Sequence, residues 1–444
     1  MAIPRGFRTR MIDRLQSLTG MIVCAVLLLG LLIAASPSAE AQSRGERRDA
    51  SWWRRAPADN SRHYFIKTDL PIDEARAYAK HLDAMYREYA RRLADLPPRA
   101  PEKLNVYLFA KKSDYIQTMR EQFGVDATGS GGMFFVQPTG SGLAIWTEGL
   151  PERRIHHVIQ HEGFHQFAFS RFGADLPIWA NEGLAEFFGE SVLVGNRLII
   201  GQSTPRVIES IKQAIADESY IRFHDMLTMT DEQWLQRVSA GDAALQYHQA
   251  WSMVHFLVYG DGGRYRRPFE AYLRLLNEGV ESEQAFIRIF GRDLDAFEAR
   301  WKAHMAEAVP SAFLTAMERI EFLAEGALWL SREKQAPETM DALRAALEAA
   351  DFTHTVEHHG HQNELEADDP SVYEIPEDEH TTQRPGFEIG KPDADLGTHR
   401  SRMFEEQWPT PPSIRTKHLE PRDLVVEWKR DTETGDVSYV IRAK

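Results

Sequence analysis

The pattern of apolar and polar positions changes near residue 150 of this 444-residue chain. Before that point, short alternating or fully apolar runs are separated by longer amphipathic stretches, which is typical of strands alternating with helices. Strands are predicted at residues 63–66, 104–109, 133–136 and 143–146, and helices at 73–96 and 113–123. The last two strands flank a glycine-rich turn and therefore predict a hairpin.

After residue 150 the apolar positions recur with the period of a helix. Helices are predicted at residues 152–172, 180–190, 206–216, 243–259, 265–277 and 283–306, with a last helical pair at 310–350. The whole pattern predicts an α+β fold, in which a small mixed β-sheet subdomain with an edge hairpin precedes a mainly helical subdomain. The expected limits are 62–150 for the β-rich part, 151–308 for the helical part and 309–350 for the helical pair.

The composition changes again after residue 350. The stretch to about residue 420 is rich in acidic residues, histidine and proline and has no long apolar stripe, which favours an extended or disordered chain. Two apolar runs at 424–428 and 437–441 flank a turn and predict a terminal β-hairpin. Residues 351–444 are therefore expected to form an acidic, largely extended tail that ends in this hairpin.

The first 41 residues have the composition of an export signal. Four arginines precede an apolar run of 15 residues at 21–35, and Ala39-Glu40-Ala41 provides the small residues at which a signal peptidase cleaves. We expect export to the periplasm or another extracytoplasmic space, with a polar linker at 42–61. The apolar run is short for a transmembrane helix, so membrane contact is expected only through a signal that stays uncleaved.

Charge and cysteine content argue against two classes of function. The formal net charge is −14 and no block of Lys and Arg follows the N-terminus, whereas nucleic-acid binding depends on a basic surface that neutralises phosphates. The only cysteine, Cys24, lies within the export signal. Nucleic acid is therefore not an expected partner, and the mature chain has no cysteine nucleophile.

The segment His161-Glu162-Gly163-Phe164-His165 carries the clearest candidate chemistry. Residues four apart lie on one face of a helix, so His161 and His165 can offer two imidazole nitrogens to one zinc ion at roughly 2.0–2.1 Å. Glu162 then lies beside the open position of the metal. A catalytic zinc ion lowers the pKa of its bound water to about 7, and Glu162 would accept the proton of that water as general base.

A third ligand is required, and Glu182 offers it from the next predicted helix, 17 residues after His165. The alternative arrangement has a histidine six residues after the second histidine. That arrangement is excluded because Arg171 occupies the position. The spacing therefore favours a zinc site of two histidines and one glutamate.

The segment 161–165, followed by Trp179-Ala180-Asn181-Glu182-Gly183-Leu184-Ala185, resembles the gluzincin metallopeptidases. It is most similar to the little-characterised bacterial proteins called peptidase MA-like, and more distantly similar to the zinc aminopeptidases. The resemblance covers roughly residues 60–305. It implies a zincin-type helical subdomain in which the two histidines and Glu182 bind zinc and Glu162 is the general base.

The same resemblance implies two further site residues. Glu186, one turn beyond Glu182, matches a carboxylate that hydrogen-bonds the first histidine and fixes its orientation. Tyr247 matches a tyrosine of the aminopeptidases whose hydroxyl stabilises the oxyanion of the transition state. Two alternatives to this role remain: Tyr247 belongs to a core stripe that also contains Trp251, or His248 donates the hydrogen bond in its place.

One departure from the aminopeptidases bears on the substrate. They carry Gly-x-Met-Glu-Asn ahead of the zinc helix, and its glutamate binds the free amine of the substrate. Here Gly131-Gly132-Met133-Phe134-Phe135 keeps the glycine and the methionine but has Phe134 in place of the carboxylate. Strict aminopeptidase activity is therefore not expected, and Gly132, Met133 and Phe134 are predicted to bind an extended peptide along the edge strand.

His157 lies one turn before His161, where it neighbours the metal, is solvated, or is satisfied within the core. Together the motifs predict an exported zinc metallopeptidase that hydrolyses a peptide or protein substrate. Two alternatives remain: a catalytically inactive zincin-fold protein that binds peptides or an envelope partner, and a metallohydrolase that acts on another envelope substrate, such as a peptide cross-link. The intact Glu162 argues against the inactive protein, because a structural zinc site needs no general base.

Overall fold

The structure is a computed structural model that describes residues 58–96, 98, 103–137, 140–194, 197–240, 243–358, 361–378, 381–392, 396, 409–431 and 436–444. These residues form two compact units. The first comprises the described chain up to Ser191 together with Asp217–His304, and the second comprises Ile199–Ala216 and Met305–Lys444, with a short interchange between 192 and 198. The predicted export signal and residues 42–57 of the predicted linker lie outside the described residues.

A five-stranded mixed sheet forms the β-rich part of the first unit. Its strands are β1 (Ala58–Asn60), β2 (Tyr64–Thr68), β3 (Leu104–Phe109), β4 (Gly132–Gln137) and β5 (Gly140–Trp146). Their order is β1-β2-β3-β5-β4, in which β2, β3 and β5 run parallel while β1 and β4 pair antiparallel with their neighbours. The predicted hairpin corresponds to β4 and β5, and β4 forms one edge of this sheet.

Three helices accompany the sheet: α1 (Ile72–Arg92), α2 (Lys112–Phe123) and α3 (Glu152–Phe172). Helix α3 packs against α1 and against the hairpin strands β4 and β5. From Ile155 onward most of its residues are buried, so it is an interior helix rather than an amphipathic surface helix. This position brings the candidate zinc motif alongside the edge strand.

The helical part that follows contains more elements than the apolar pattern predicted. The helices are α4 (Ile178–Gly189), α5 (Pro205–Ala216), α6 (Phe223–Thr228), α7 (Asp231–Ala240), α8 (Ala243–Gly263), α9 (Arg266–Asn277), α10 (Ser282–Phe290) and α11 (Leu294–Glu307). The prediction of a single helix at 283–306 is wrong, because α10 ends at Phe290 with Gly291 as its C-cap and α11 begins at Leu294. Gly291 has a φ of 100°, which lies outside the helical region and is readily adopted only by glycine.

The second unit is built around α12 (Ala312–Arg332), which is followed by α13 (Met340–Glu348) in the region of the predicted helical pair. A hairpin, a short 3₁₀ helix (Pro370–Tyr373) and a four-stranded sheet complete the unit. The strands are β8 (Thr353–His358), β9 (His361–Glu366), β10 (Gly386–Gly390), β11 (Ser413–Lys417), β12 (Leu424–Arg430) and β13 (Val437–Ala443). A small pair, β6 (Val192–Val194) and β7 (Arg197–Ile199), precedes α5.

The described part of the segment after residue 350 differs from the extended tail that its composition predicted. The terminal hairpin is present as β12 and β13, but β8 to β11 precede it. Strands β9 to β11 share a core with α12, in which Val372 and Ile414 are completely buried, and β8 packs against the same helix with Val356 completely buried. Each strand contributes only one or two apolar residues between polar or charged ones, so the sequence shows no apolar stripe. These residues are buried because α12 provides the apolar surface against which they pack.

The predicted α+β class is confirmed: a mixed sheet and a larger set of helices form the first unit, and helices and antiparallel strands form the second. Among the described residues, no helix combines the length and the apolar character that a membrane crossing requires.

Candidate metal centre

Helices α3 and α4 bring three histidines opposite three glutamates. The histidines are His157, His161 and His165 of α3, and the glutamates are Glu182, Glu186 and Glu190 of α4 and its C-terminal cap. A spacing of four residues places each set on one face of its helix. The pairs His165–Glu182, His161–Glu186 and His157–Glu190, here named the first, second and third rungs, have N–O separations of 3.4, 3.2 and 3.9 Å. All six side chains are buried.

Three donor atoms converge between the first two rungs. Nε2 of His161 lies 3.1 Å from Nε2 of His165, and each of these nitrogens lies 3.4 Å from Oε2 of Glu182. A tetrahedral ion with bonds of about 2.0–2.1 Å holds its ligand atoms about 3.3–3.4 Å apart. The three predicted ligands are therefore brought together at separations that fit a zinc ion, and the donor set of two imidazoles and a carboxylate is one that zinc prefers.

The outer nitrogen of each of these histidines has a partner. Nδ1 of His161 lies 3.2 Å from Glu186 Oε1, as expected from the sequence, and Nδ1 of His165 lies 3.1 Å from Asn181 Oδ1. An acceptor at Nδ1 fixes the ring with its proton on that nitrogen, so the Nε2 lone pair faces the shared centre. Asn181 was not predicted, although its position next to Glu182 in the sequence was available as a signal.

Glu162 is completely buried beside these donors and is held by the edge strand. The backbone N–H of Phe134 in β4 donates a hydrogen bond to Glu162 Oε2 at 2.7 Å. The other oxygen, Oε1, is buried and receives no hydrogen bond from the part of the chain that the structure describes. Burial raises the pKa of Glu162 to about 7, against the opposing effects of His161 and His165. A carboxylate in this state suits a general base at neutral pH.

Burial and electrostatic attraction determine the pKa values of the other ionisable groups of the centre. Burial acts to lower the pKa of His161, but Glu186 and Glu182 outweigh it and raise that pKa well above the ordinary value. Burial acts to raise the pKa of Glu186, yet His161 brings it down to about 2. The pKa of Glu182 is likewise held well below its usual range by His165 and His161, against the effect of burial. Both carboxylates are therefore ionised, which suits a divalent cation.

Helix α8 brings the predicted tyrosine to the centre. The ring of Tyr247 lies 6.4 Å from that of His161, centroid to centroid, and it also contacts Trp234 edge-on at 5.2 Å. The next residue, His248, acts electrostatically on Glu186, whose pKa it helps to lower. The ring of Tyr247 therefore lies next to that of a candidate ligand, His161, and His248 influences the carboxylate that is paired with this histidine.

The residues predicted to bind substrate all lie on β4, but their side chains face in different directions. Met133 is buried with Phe109 and Tyr115 in a core cluster, so only its backbone is available at the strand. Phe134 faces the opposite side, where its ring lies 5.6 Å from that of Phe169 on α3. At Gly132 the strand packs closely on α3. The sheet edge beside Glu162 therefore presents backbone groups and aromatic rings rather than a carboxylate.

A family model described as "Protein of unknown function (DUF1570)" matches residues 155–281. This stretch contains all of α4 and most of α3, and therefore every residue of the three rungs, together with Tyr247 on α8. No curated protein matches the chain.

Proposed function

We propose that this protein is an exported zinc-dependent metallopeptidase of the gluzincin type, which hydrolyses peptide bonds with Glu162 as general base. One observation carries the proposal. The donor atoms of His161, His165 and Glu182 lie 3.1–3.4 Å apart. The buried carboxylate of Glu162 lies beside them, and its Oε1 accepts no hydrogen bond from the described residues. A purely structural site would have no use for that carboxylate.

His161, His165 and Glu182 are the residues that would hold the metal, with Glu186 and Asn181 orienting the two imidazoles. When bound, zinc supplies the Lewis acidity that polarises a peptide carbonyl and acidifies water. With two neutral imidazoles and one carboxylate as ligands, a divalent ion and its three ligands would together carry a net positive charge. That charge favours the oxyanion that develops during attack on the carbonyl.

Glu162 performs the proton transfers in this proposal. Because Phe134 N–H holds Oε2, the carboxylate cannot rotate freely and Oε1 is the oxygen that accepts the proton of the attacking water. The same oxygen then delivers that proton to the nitrogen of the leaving amine, whose bond to the carbonyl carbon breaks. Positioned transfers of this kind contribute roughly 10²–10⁴-fold to the rate.

The edge strand β4 and Tyr247 complete the proposed site. A strand at a sheet edge can bind an extended peptide through its backbone groups. The N–H of Phe134 is already used by Glu162, so the C=O of Phe134 and the groups of Val136, which face the same side of the strand, are the ones left for a substrate. Tyr247 is the proposed hydrogen-bond donor to the oxyanion.

The surroundings of Glu162 support cleavage within a chain rather than removal of an N-terminal residue. Phe134 and Phe169 form an apolar wall where an aminopeptidase places a carboxylate. An aromatic ring of this kind packs against an apolar side chain of the substrate, but it offers no full negative charge to a free ammonium group. The proposed substrate is therefore an extended peptide segment with an apolar residue near the scissile bond.

The experiment compares wild type with Glu162→Gln, using elemental analysis for zinc and a mixed peptide library for cleavage. We expect about one zinc per chain in both proteins and a loss of turnover of at least about 10²-fold in the variant. His156→Gln is the matched control, since His156 faces Glu152 at 3.7 Å and not the metal ligands. Normal cleavage by Glu162→Gln would overturn the mechanism. Bound zinc without cleavage by wild type would favour the inactive peptide-binding alternative.

A further inference from the structure

The third rung, His157–Glu190, is used by no part of the proposed mechanism. It continues the periodic pairing of α3 and α4 by one more turn: the first rung and His161 supply the proposed zinc ligands, Glu186 orients His161, and the third rung lies one helical turn further along. His157 Nδ1 lies 3.9 Å from Glu190 Oε1, and both side chains are buried. Burying a histidine and a glutamate together costs free energy, so their presence this close to the metal ligands calls for a role.

The packing of α4 is adapted to His157. A Cβ atom built on Gly189 would lie 3.1 Å from Cε1 and 3.3 Å from Nδ1 of the His157 ring. These contacts are tighter than ordinary Cβ contacts, so a side chain at position 189 would require the imidazole to shift by a few tenths of an ångström. The absence of a side chain at Gly189 therefore lets the ring lie directly against the helix that carries Glu186 and Glu190.

His157 lies close to two buried carboxyl groups, those of Glu186 and Glu190. One of its ring nitrogens lies within 4.8 Å of a Glu186 oxygen and of a ring nitrogen of His161. Burial and the nearby Glu186 raise the pKa of Glu190 well above its ordinary value, while Arg154 acts in the opposite direction. The imidazole of His157, packed close to both carboxyl groups, limits the room in which Glu186 can turn away from His161.

The Nδ1 of His161 argues against a second metal ion between the second and third rungs. It lies 3.2 Å from Glu186 Oε1 and would have to give up its proton to bind a second ion. His157 Nδ1 and Glu190 Oε1 are 3.9 Å apart, whereas two ligand atoms of one tetrahedral zinc ion lie about 3.3–3.4 Å apart.

We infer that His157 and Glu190 are positioning residues of the metal centre: they hold Glu186 against the imidazole of His161 and thereby raise the zinc affinity of the site formed by His161, His165 and Glu182. The inference rests on the proposed function only in that the site binds zinc, and it does not depend on peptide cleavage. Direct partners of metal-bound histidines typically contribute 10–100-fold to metal affinity. A residue one step further out is expected to contribute less, about five-fold.

The test measures the zinc dissociation constant of the full chain by competition with a chromogenic chelator. His157→Gln and Glu190→Gln should each weaken binding about five-fold, while Glu190→Asp, which keeps the carboxylate, should recover part of the loss. The control His156→Gln changes the neighbouring histidine, whose partner is Glu152, and should leave the constant unchanged. Gly189→Ala displaces the His157 ring without removing a polar group and should weaken binding in the same direction, which covers the case in which His157→Gln fails to fold.

A double-mutant cycle separates positioning from a general loss of structure. In a Glu186→Gln background, His157→Gln should have no further effect on zinc affinity, because its influence passes through Glu186. If His157→Gln still weakened zinc binding about five-fold in that background, the inference would be overturned. It would also be overturned if His157→Gln, Gly189→Ala and Glu190→Gln each bound zinc with the affinity of wild type.

Stoichiometry distinguishes the remaining outcomes. Wild type with one zinc per chain and unaltered affinity in the variants overturns this inference and leaves the proposed function standing. Wild type that binds no zinc overturns both. Two zinc ions per chain in wild type, falling to one in His157→Gln, would show that the third rung binds a metal itself and would replace the positioning role.

Discussion

Helices α3 and α12 are alike in size and burial and differ in what they bury. Each has 21 residues, and in each of them 15 are buried. In α12 only three of these are polar: Thr315, Glu318 and Ser331. In α3 there are seven: His157, Gln160, His161, Glu162, His165, Gln166 and Arg171.

The comparison shows that burial serves different ends in the two helices. An apolar side chain gains free energy on burial, so α12 stabilises the unit that forms around it. A buried polar side chain costs free energy unless it is paired, so α3 gives up stability for the groups that it positions. Substitutions should therefore affect stability in α12 and chemistry in α3, and the following experiments are ordered from the largest expected effect to the smallest.

Glu162→Gln should have the largest effect on activity and little effect on stability. The amide oxygen of glutamine can still accept the hydrogen bond from Phe134 N–H, but it cannot take up a proton. We expect kcat to fall by about 10²–10⁴-fold with zinc retained, and the Tm of the metal-free protein to stay equal or rise because a buried ionisable group is removed. A large drop in Tm would instead place Glu162 among the structural residues.

Leu323→Ala should have the opposite profile. Leu323 is completely buried in the core around α12, and truncation of such a leucine costs about 2–5 kcal/mol of unfolding free energy. Denaturant unfolding measures this loss. Zinc content per folded chain should not change, and a loss of zinc from folded Leu323→Ala would break the distinction between the two helices.

Glu186→Gln should weaken zinc binding about 10–100-fold, because the neutral amide no longer stabilises the Nδ1 proton of His161 with a full charge. Chelator competition measures the change. Glu318→Gln is the matched control, since Glu318 is a glutamate of α12 with the same 6% exposure. If both substitutions weakened zinc binding equally, the effect of Glu186→Gln could not be attributed to its contact with His161.

Asn181→Ala should have the smallest effect of the series, a few-fold weaker zinc binding. Its amide oxygen meets His165 Nδ1 at 3.1 Å, but it is neutral and partly exposed, so water can replace it. The same chelator assay measures this change, and Asn181→Asp should restore or exceed the wild-type affinity. An effect of Asn181→Ala larger than that of Glu186→Gln would reverse the expected order of the two partners.

The residues of the zinc motif could be predicted because their relations are local. A four-residue spacing fixes the face of His161 and His165 on any helix, and Glu186 follows Glu182 by the same rule. Asn181 and the third rung obey equally local rules, but asparagine and a terminal glutamate are common at such places. Their place in the candidate site becomes visible only in the structure, which shows that α3 and α4 bring them next to each other and to the candidate ligands.

The parts that could not be predicted depend on contacts between distant segments. The hydrogen bond from Phe134 to Glu162 joins a strand to a helix across 28 residues and involves a backbone group, which leaves no mark on the side-chain pattern. The strands after residue 350 were missed for a related reason. Their apolar residues are too few to form a stripe, and only the long apolar face of α12 makes a core out of them.

The hydrogen bond between Phe134 and Glu162 also couples the proposed binding of a peptide on β4 to the orientation of the proposed general base. The strand proposed to hold the peptide is the strand that aims the carboxylate, so a peptide lying out of register and pulling β4 aside would turn Glu162 away at the same moment. A peptide bound out of register would then dissociate without being cleaved, and no additional selection step would be needed. In the proposed peptidase, selectivity would then depend on the backbone of β4 as well as on side-chain pockets, and it would be exerted before the peptide bond is broken.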